Sequence, residues 1–283
     1  MKRDYQLNKD FPIHMTSWVP GTKLAPFHWH DANEIGCCLE GEGHFFFEEK
    51  KYDVRAGDVF VVSHMEKHRA VSDPDRPSRF YFVKFDASLI GAADNELLAP
   101  FILKSPQFAN KLDRSLAVSA EIGRHMHAIW QELQAGERGH RSMVKGLLIQ
   151  VCALLLRHYA GELSPEEWTR SIQAYQKLRP ALDLIHARHS ENLQLKDIAA
   201  CLSLSTSRTY HLFKETMGEG FKDYLTKIRI QEAKKGLSDP NLSITDIYLS
   251  CGFQGHAAFY RAFRRIVGMT PKAYRQYVRT KGR

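Results

Sequence analysis

His28 and His30 are separated by one residue in the stretch PFHWHDANEIG, and Glu34 follows four positions after His30. Alternate side chains of an extended strand share a face, so the two imidazoles point the same way and Glu34 can join them from the next strand. Imidazole nitrogens beside a carboxylate are a donor set for a transition metal, and without an ion they shape the polar part of a pocket. A second kind of chemistry is concentrated at the other end of the chain. Residues 168–283 hold 20 Lys and Arg against 9 Asp and Glu, a net of +11, whereas residues 1–167 hold 20 against 23, a net of −3. A basic third beside a mildly acidic remainder points to a polyanion bound by that third alone.

The elements that must position these groups change character along the chain. At 283 residues two domains are the default expectation. Between about residues 11 and 86, the apolar clusters Glu34–Leu39, His44–Phe47, Asp58–Val62 and Arg79–Phe85 are brief and bounded by Gly, Pro or charge, as in an all-β barrel or sandwich. From about residue 117 the period becomes helical, with Ile122, Met126, Ile129 and Leu133 on one stripe. A second helix, Arg141–Tyr159, contains GLLIQVCALLL and is apolar almost all round. It is either a core helix or one with a second seam of Leu147, Val151, Leu154 and His158 against a partner subunit. The polar stretch AGELSPEE (160–167) divides residues 1–160 from 161–283. Five cysteines without a CxxC read as reduced thiols. The start MKRDYQLNKDF has no apolar core for a signal peptide, and Gln150 and Arg157 interrupt the richest apolar run. A soluble, cytoplasmic protein with no membrane partner is expected.

The basic third carries two copies of one pattern. In LKDIAACLSLSTSRTYHLFKETMG, residues 195–218, Ile198, Ala199 and Leu202 line a first helix, a turn falls at Ser203, and Thr209, Leu212 and Phe213 line a second. That is the helix-turn-helix pattern, with a small residue at the close crossing. Ser203 stands where Gly is usual, because the turn favours positive φ, and Thr209 stands where a larger aliphatic is commoner. In ITDIYLSCGFQGHAAFYRAFRRIVG, residues 244–268, Ile247 and Cys251 pack the first helix and Gly252 makes the turn. Phe253, Phe259, Ala262 and Phe263 then fill the inner face, while Tyr248 takes the small residue's place. FKDYLTKIRIQEAKKGL, from Phe221 to Leu237, joins the two as one helix.

Residues 180–280 resemble the DNA-binding domain of the AraC/XylS family of bacterial regulators. The ending GFQGHAAFYRAFRRIVGMTPKAYR carries Gly252, Phe253, Phe259, Phe263, Gly268, Pro271 and Tyr274 at the signature positions. The resemblance implies that the second helix of each motif enters the major groove, in successive turns of the duplex. It assigns base contacts to Ser207, Tyr210 and His211 in the first motif and to His256, Ala257 and Arg261 in the second. Arg261 can fork onto guanine O6 and N7, and His211 occupies the matching place, where many relatives carry Arg. Arg208, Lys214, Lys222, Arg264 and Arg265 fall to phosphates, which position without specifying.

The amino-terminal part resembles the two motifs of the cupin barrel, whose ligands are two His, one Glu and a later His. His28, His30, Glu34 and Gly41 match the first motif, and GDVFVVSHMEKH places His68 at the later ligand. Ser63 and Met65 replace the usual Pro and Gly, and His64 is at no ligand position. Three nitrogens and a carboxylate suit one divalent transition metal, Zn, Ni, Fe or Mn. Alternatively His30, Glu34 and His68, with Trp18, line an effector pocket without a metal. Cys38, Phe46, Tyr81 and Phe82 are further candidates for the cavity wall, subject to a one-residue slip in strand facing.

The expected fold is multidomain α+β: a cupin-like β-barrel with two helices for effector binding and dimerisation, then an all-α domain with two helix-turn-helix motifs. The function implied is a homodimeric transcription regulator, an activator by family analogy, that binds double-stranded DNA and RNA polymerase and answers to a small molecule such as a sugar. It is not expected to be an enzyme. The competing readings are a metal-dependent cupin enzyme with a DNA-binding tail, and a regulator that senses the metal itself.

Overall fold

Apolar runs too short for helices fold as antiparallel strands: β1 Ile13–Trp18, β2 Asn33–Glu40, β3 Glu42–Phe47, β4 Lys50–Arg55, β5 Val59–Val62, β6 His68–Ser72, β7 Arg79–Phe85 and β8 Lys111–Leu112. The computed structural model describes residues 7–281 apart from 9, 26, 31, 49, 64–65, 91, 103–107 and 162–163, so His64 and Met65 lie outside the described residues. The strands form two sheets, in the orders β1-β7-β2-β5-β8 and β4-β3-β6. The chain divides into two units, Met1–Ile172 and Gln173–Arg283.

In the first unit the central strands are apolar on both faces. One face of β7 presents Phe80 and Phe82 to an inner cluster with Phe45, Phe47, Phe60 and Cys38. The other presents Tyr81, Val83 and Phe85 to a layer shared with α1 (Ala117–Ala135) and α2 (His140–Ala160). Burial on both sides removes the polar alternation that would otherwise reveal strand facing. By length and composition α2 could cross a bilayer, but Val144, Leu148, Val151, Cys152, Leu155 and Tyr159 are fully packed into this core. Val151 therefore does not belong to an outward seam. Leu148, Val151 and Leu155 fall on one buried helical face, while Leu147 and Leu154 are half-buried and Met143 is 54% exposed.

The second unit is helical: α3 Pro165–Arg188, which crosses from the first unit, then α4 Leu195–Cys201, α5 Thr206–Met217, α6 Phe221–Ser238, α7 Ile244–Ser250, α8 His256–Val267 and α9 Pro271–Lys281. The two helix-turn-helix motifs are α4–α5 and α7–α8, and their turns share one hydrogen-bond scheme. The Ser203 and Leu204 N–H groups donate to Ala200 and Ala199 carbonyls at 3.1 and 2.9 Å. The Gly252 and Phe253 N–H groups donate to Leu249 and Tyr248 carbonyls at 3.0 Å each. Both turn residues have positive φ, 53° at Ser203 and 83° at Gly252. Thr209 is fully buried in place of an aliphatic, and its hydroxyl is satisfied by donating to the Ser205 carbonyl at 2.9 Å. Between the motifs, α6 buries Phe221, Tyr224, Leu225, Ile228, Ile230, Ala233 and Leu237. A helix apolar on several faces is what a central strut requires.

Candidate functional site

The barrel opens on a cavity of about 390 Å³. Trp18, Phe45, Phe82, Ala25 and Ala70 form its apolar wall, and Glu34, His28, His68, Lys84, Lys23 and Arg69 supply its polar and charged groups. Strand register explains the composition. Glu34 of β2 pairs with Lys84 of β7, and Gly36 pairs with Phe82 two positions along. A Cβ at Gly36 would stand 2.6 Å from the Phe82 ring, so glycine lets that ring lie across the strand.

Glu34 is the hub. Its Oε2 lies 3.0 Å from His30 Nε2 and 2.9 Å from Lys84 Nζ, and its Oε1 is 3.6 Å from His68 Nε2. His30 Nδ1 is 2.9 Å from the Ala32 carbonyl, and His68 Nδ1 is 2.8 Å from the Glu66 carbonyl. In its neutral form His68 thus donates from Nδ1 and offers a lone pair at Nε2, which is buried without a hydrogen-bond partner. Among the described residues His30, Glu34 and His68 are the group whose ligand atoms converge, all within 4.8 Å of one another. His28 stands beside them, its ring 4.1 Å from that of His68. Backbone bonds in both directions between His28 and His68, at 3.0 and 2.9 Å, bring these distant segments together.

Burial moves the titrating groups in one sense. It pushes His28 well below its ordinary pKa, helped by His68 and Lys84, lowers His30, and takes His68 to about 3. Burial alone would raise Glu34, but Lys84 and His30 together hold it well below the usual carboxylate range. The sign of the linkage follows. Three histidines that stay neutral when folded but protonate near pH 6.5 when unfolded contribute full stability above that pH and lose it as pH falls towards the folded values. For His68 alone the loss at pH 5 is roughly 2 kcal/mol. All four tryptophans lie within residues 1–172, so their fluorescence reports on this unit. Its urea midpoint is expected to drop between pH 7.5 and pH 5, and a flat profile would contradict the buried neutral histidines.

Several wall assignments shift by one residue. Trp18 and Phe82 line the cavity as expected from the sequence. Phe45 does so rather than Phe46, which instead lies under the Arg69 guanidinium at 4.9 Å. Tyr81 faces the helices and stacks on Trp130 with ring centroids 5.1 Å apart, and Cys38 belongs to the inner apolar cluster. Lys84 and Arg69 were not singled out by sequence. Lys84 lies two residues beyond Phe82 on the same face of β7, and the register sets it opposite Glu34.

In the second unit, Ser207, Arg208, Tyr210, His211 and Lys214 are exposed on α5, whereas Thr209, Leu212 and Phe213 are buried. Ser207, Tyr210, His211 and Lys214 are spaced by three, one and three residues, which places them on one outward face. On α8, His256, Ala257, Arg261, Arg264 and Arg265 are exposed over buried Phe259 and Phe263. Ala257, Arg261 and Arg264 form a stripe, and His256 stacks on Tyr260 with ring centroids 3.9 Å apart. Tyr248, in the small residue's place, is half-buried and stacks on Phe259 at 5.8 Å. Each second helix thus offers a polar or basic face of the kind that reads base edges and phosphates.

Residues 19–152 match the AraC-like ligand binding domain, and residues 198–277 match a helix-turn-helix domain family. The chain is 25% identical over 277 residues to an uncharacterized HTH-type transcriptional regulator of Staphylococcus aureus, covering 97% of this chain but 34% of that protein. It is 26% identical over 242 residues to the Msm operon regulatory protein of Streptococcus mutans, covering 85% of this chain and 82% of that one. The chain therefore spans about a third of the staphylococcal relative's length and most of the streptococcal one's. Among solved structures, ToxT from Vibrio cholerae O395 aligns over 95% of this chain and 99% of its own, with a TM-score of 0.62 at 12% identity. That likeness is one of fold.

Proposed function

The chain belongs to the AraC family of transcription regulators, and from that premise we propose that it binds specific duplex DNA under the control of a small molecule held in the barrel. The observation that carries this reading is the repeated α4–α5 and α7–α8 geometry, with matching turns and outward Ser207, Tyr210, His211, His256, Ala257 and Arg261. Two such helices fit successive major-groove turns. Arg208, Lys214, Lys222, Arg264 and Arg265 supply phosphate contacts around them.

The effector we propose is a small polyhydroxylated molecule such as a sugar. Trp18 and Phe82 offer a ring face, while Glu34, Lys84 and the Nε2 lone pair of His68 offer acceptors and a donor for hydroxyls. A homodimer formed through the exposed margin of α2, at Met143, Leu147 and Leu154, would present two such reading units. Activation through RNA polymerase, in the cytoplasm, follows the family analogy. The test is a panel of mono- and disaccharides, read by the tryptophan-reported melting of the full chain. At saturation one or more sugars is expected to raise the midpoint by several degrees, as binding to the native state alone requires. Trp18→Ala should abolish that shift. A panel with no response, or a shift indifferent to Trp18, overturns the sugar assignment.

A further inference from the structure

We propose that Lys84 takes the place of a metal ion in the barrel, its ammonium neutralising the Glu34 carboxylate on which His30 and His68 converge. The cluster has the outward signs of a metal site. Its three ligand atoms lie within 4.8 Å of one another. Both His30 and His68 have Nδ1 within hydrogen-bond range of a backbone carbonyl, the arrangement that aims Nε2 of a metal-binding histidine. A metal reading must then place a divalent cation between Nε2 of these rings and the Glu34 carboxylate.

Lys84 does not fit that reading. Its Nζ is 2.9 Å from Glu34 Oε2, the same oxygen that lies 3.0 Å from His30 Nε2. The ladder pairs Lys84 with Glu34 directly, and Lys84 is only 7% exposed, so strand register holds the ammonium where it is. A divalent ion held by Glu34 and His30 would share its carboxylate with a buried like charge, and repulsion between cations a few ångströms apart is strong away from water. The ammonium instead supplies one fixed positive charge to the Glu34 carboxylate, while His68 Nε2 keeps its lone pair without a hydrogen-bond partner. The cupin ligand set is thereby kept as a hydrogen-bonding floor and closed to metals. The inference concerns the barrel alone, so its failure leaves DNA binding by the helical unit standing.

The test is a titration of the purified, chelator-treated full chain with Co²⁺, followed by visible absorption. The wild type is expected to bind no stoichiometric Co²⁺, and its melting should be indifferent to chelator. Lys84→Met should bind one equivalent, with affinity raised by about 100-fold or more, and His68→Ala on that background should remove the signal. Lys84→Arg, which keeps the cation, should behave as wild type. One equivalent of Co²⁺ on the wild type, lost in His68→Ala, overturns the proposal, as does a folded Lys84→Met that binds none. Should Lys84→Met fail to fold, Lys84→Gln, which is polar but uncharged, is titrated in its place and is expected to bind one equivalent; a folded Lys84→Gln that binds none overturns the proposal.

Discussion

Gly252→Ala is expected to cost the helical unit about 3 kcal/mol or more and to abolish specific DNA binding. Two effects add. The residue has φ of 83°, which costs an L-residue roughly 1 kcal/mol. The larger effect is steric. A Cβ at position 252 would stand 2.6 Å from the Ser190 carbonyl oxygen, 2.8 Å from its carbon and 2.9 Å from the His189 oxygen. That backbone cannot easily retreat, because Arg229 donates to the His189 and Glu191 carbonyls at 2.7 Å each. Ser203 is the internal control. It holds the matching turn with φ of 53° and is not glycine, so Ser203→Gly should be neutral or stabilising by up to about 1 kcal/mol. Residues 173–283 contain no tryptophan, so far-ultraviolet circular dichroism of the full chain, read beside the fluorescence, separates them from the barrel. A Gly252→Ala protein within about 0.5 kcal/mol of wild type would contradict this account of the turn.

The second large effect is expected at Glu34. Glu34→Ala strips the buried Lys84 ammonium of its carboxylate and His30 of a partner, a loss of about 3–5 kcal/mol for a broken buried pair. Removing both charges is milder than removing one. The double variant Glu34→Ala with Lys84→Met should therefore recover part of the loss, with a coupling of more than about 1 kcal/mol in a double-mutant cycle. Unfolding in urea followed by tryptophan fluorescence gives each corner of the cycle. Strict additivity would show that the pair does not interact.

The contrast between these sites shows what sequence reading can reach. The helix-turn-helix motifs were legible because a 3.6-residue period, a turn and a basic outer face coincide, and because the pattern occurs twice. Gly252 could be read as a turn glycine, although its close approach to Ser190 could not. The barrel was less legible for a physical reason. RFYFVKF is apolar on both faces because β7 lies between the inner cluster and the helix-side core, while HFFFEE has three rings in a row although Phe46, on the outer face, is only half-buried beside Arg69. Without alternation, Phe45 and Phe46 exchange places, and Lys84 gives no sign that it turns inward. Nor does α2 announce its facing. Its apolar residues run all round, and only packing shows that Val151 is buried in the core while Met143 faces solvent.

His30 and Glu34 lie in one short stretch and are close in sequence, whereas His68 and Lys84 reach them through strand pairing. The resemblance to a ligand-binding barrel supplied His68, by motif position. It could not supply Lys84, which belongs to no ligand motif and gains its role from the β2–β7 register.

The most direct measurement of the central claim is selection of bound sequences from a random duplex pool by the full chain, followed by affinity on the selected site. The account predicts an enriched site with two read segments about one helical turn apart. Arg261→Ala should relax one position of the segment read by α8, at a cost of about 1–3 kcal/mol. Affinity should fall steeply as salt is raised, as phosphate neutralisation by Arg208, Lys214 and Arg264 requires. No enrichment, or a site and affinity unchanged in Arg261→Ala, would contradict the assignment of the paired motifs to DNA.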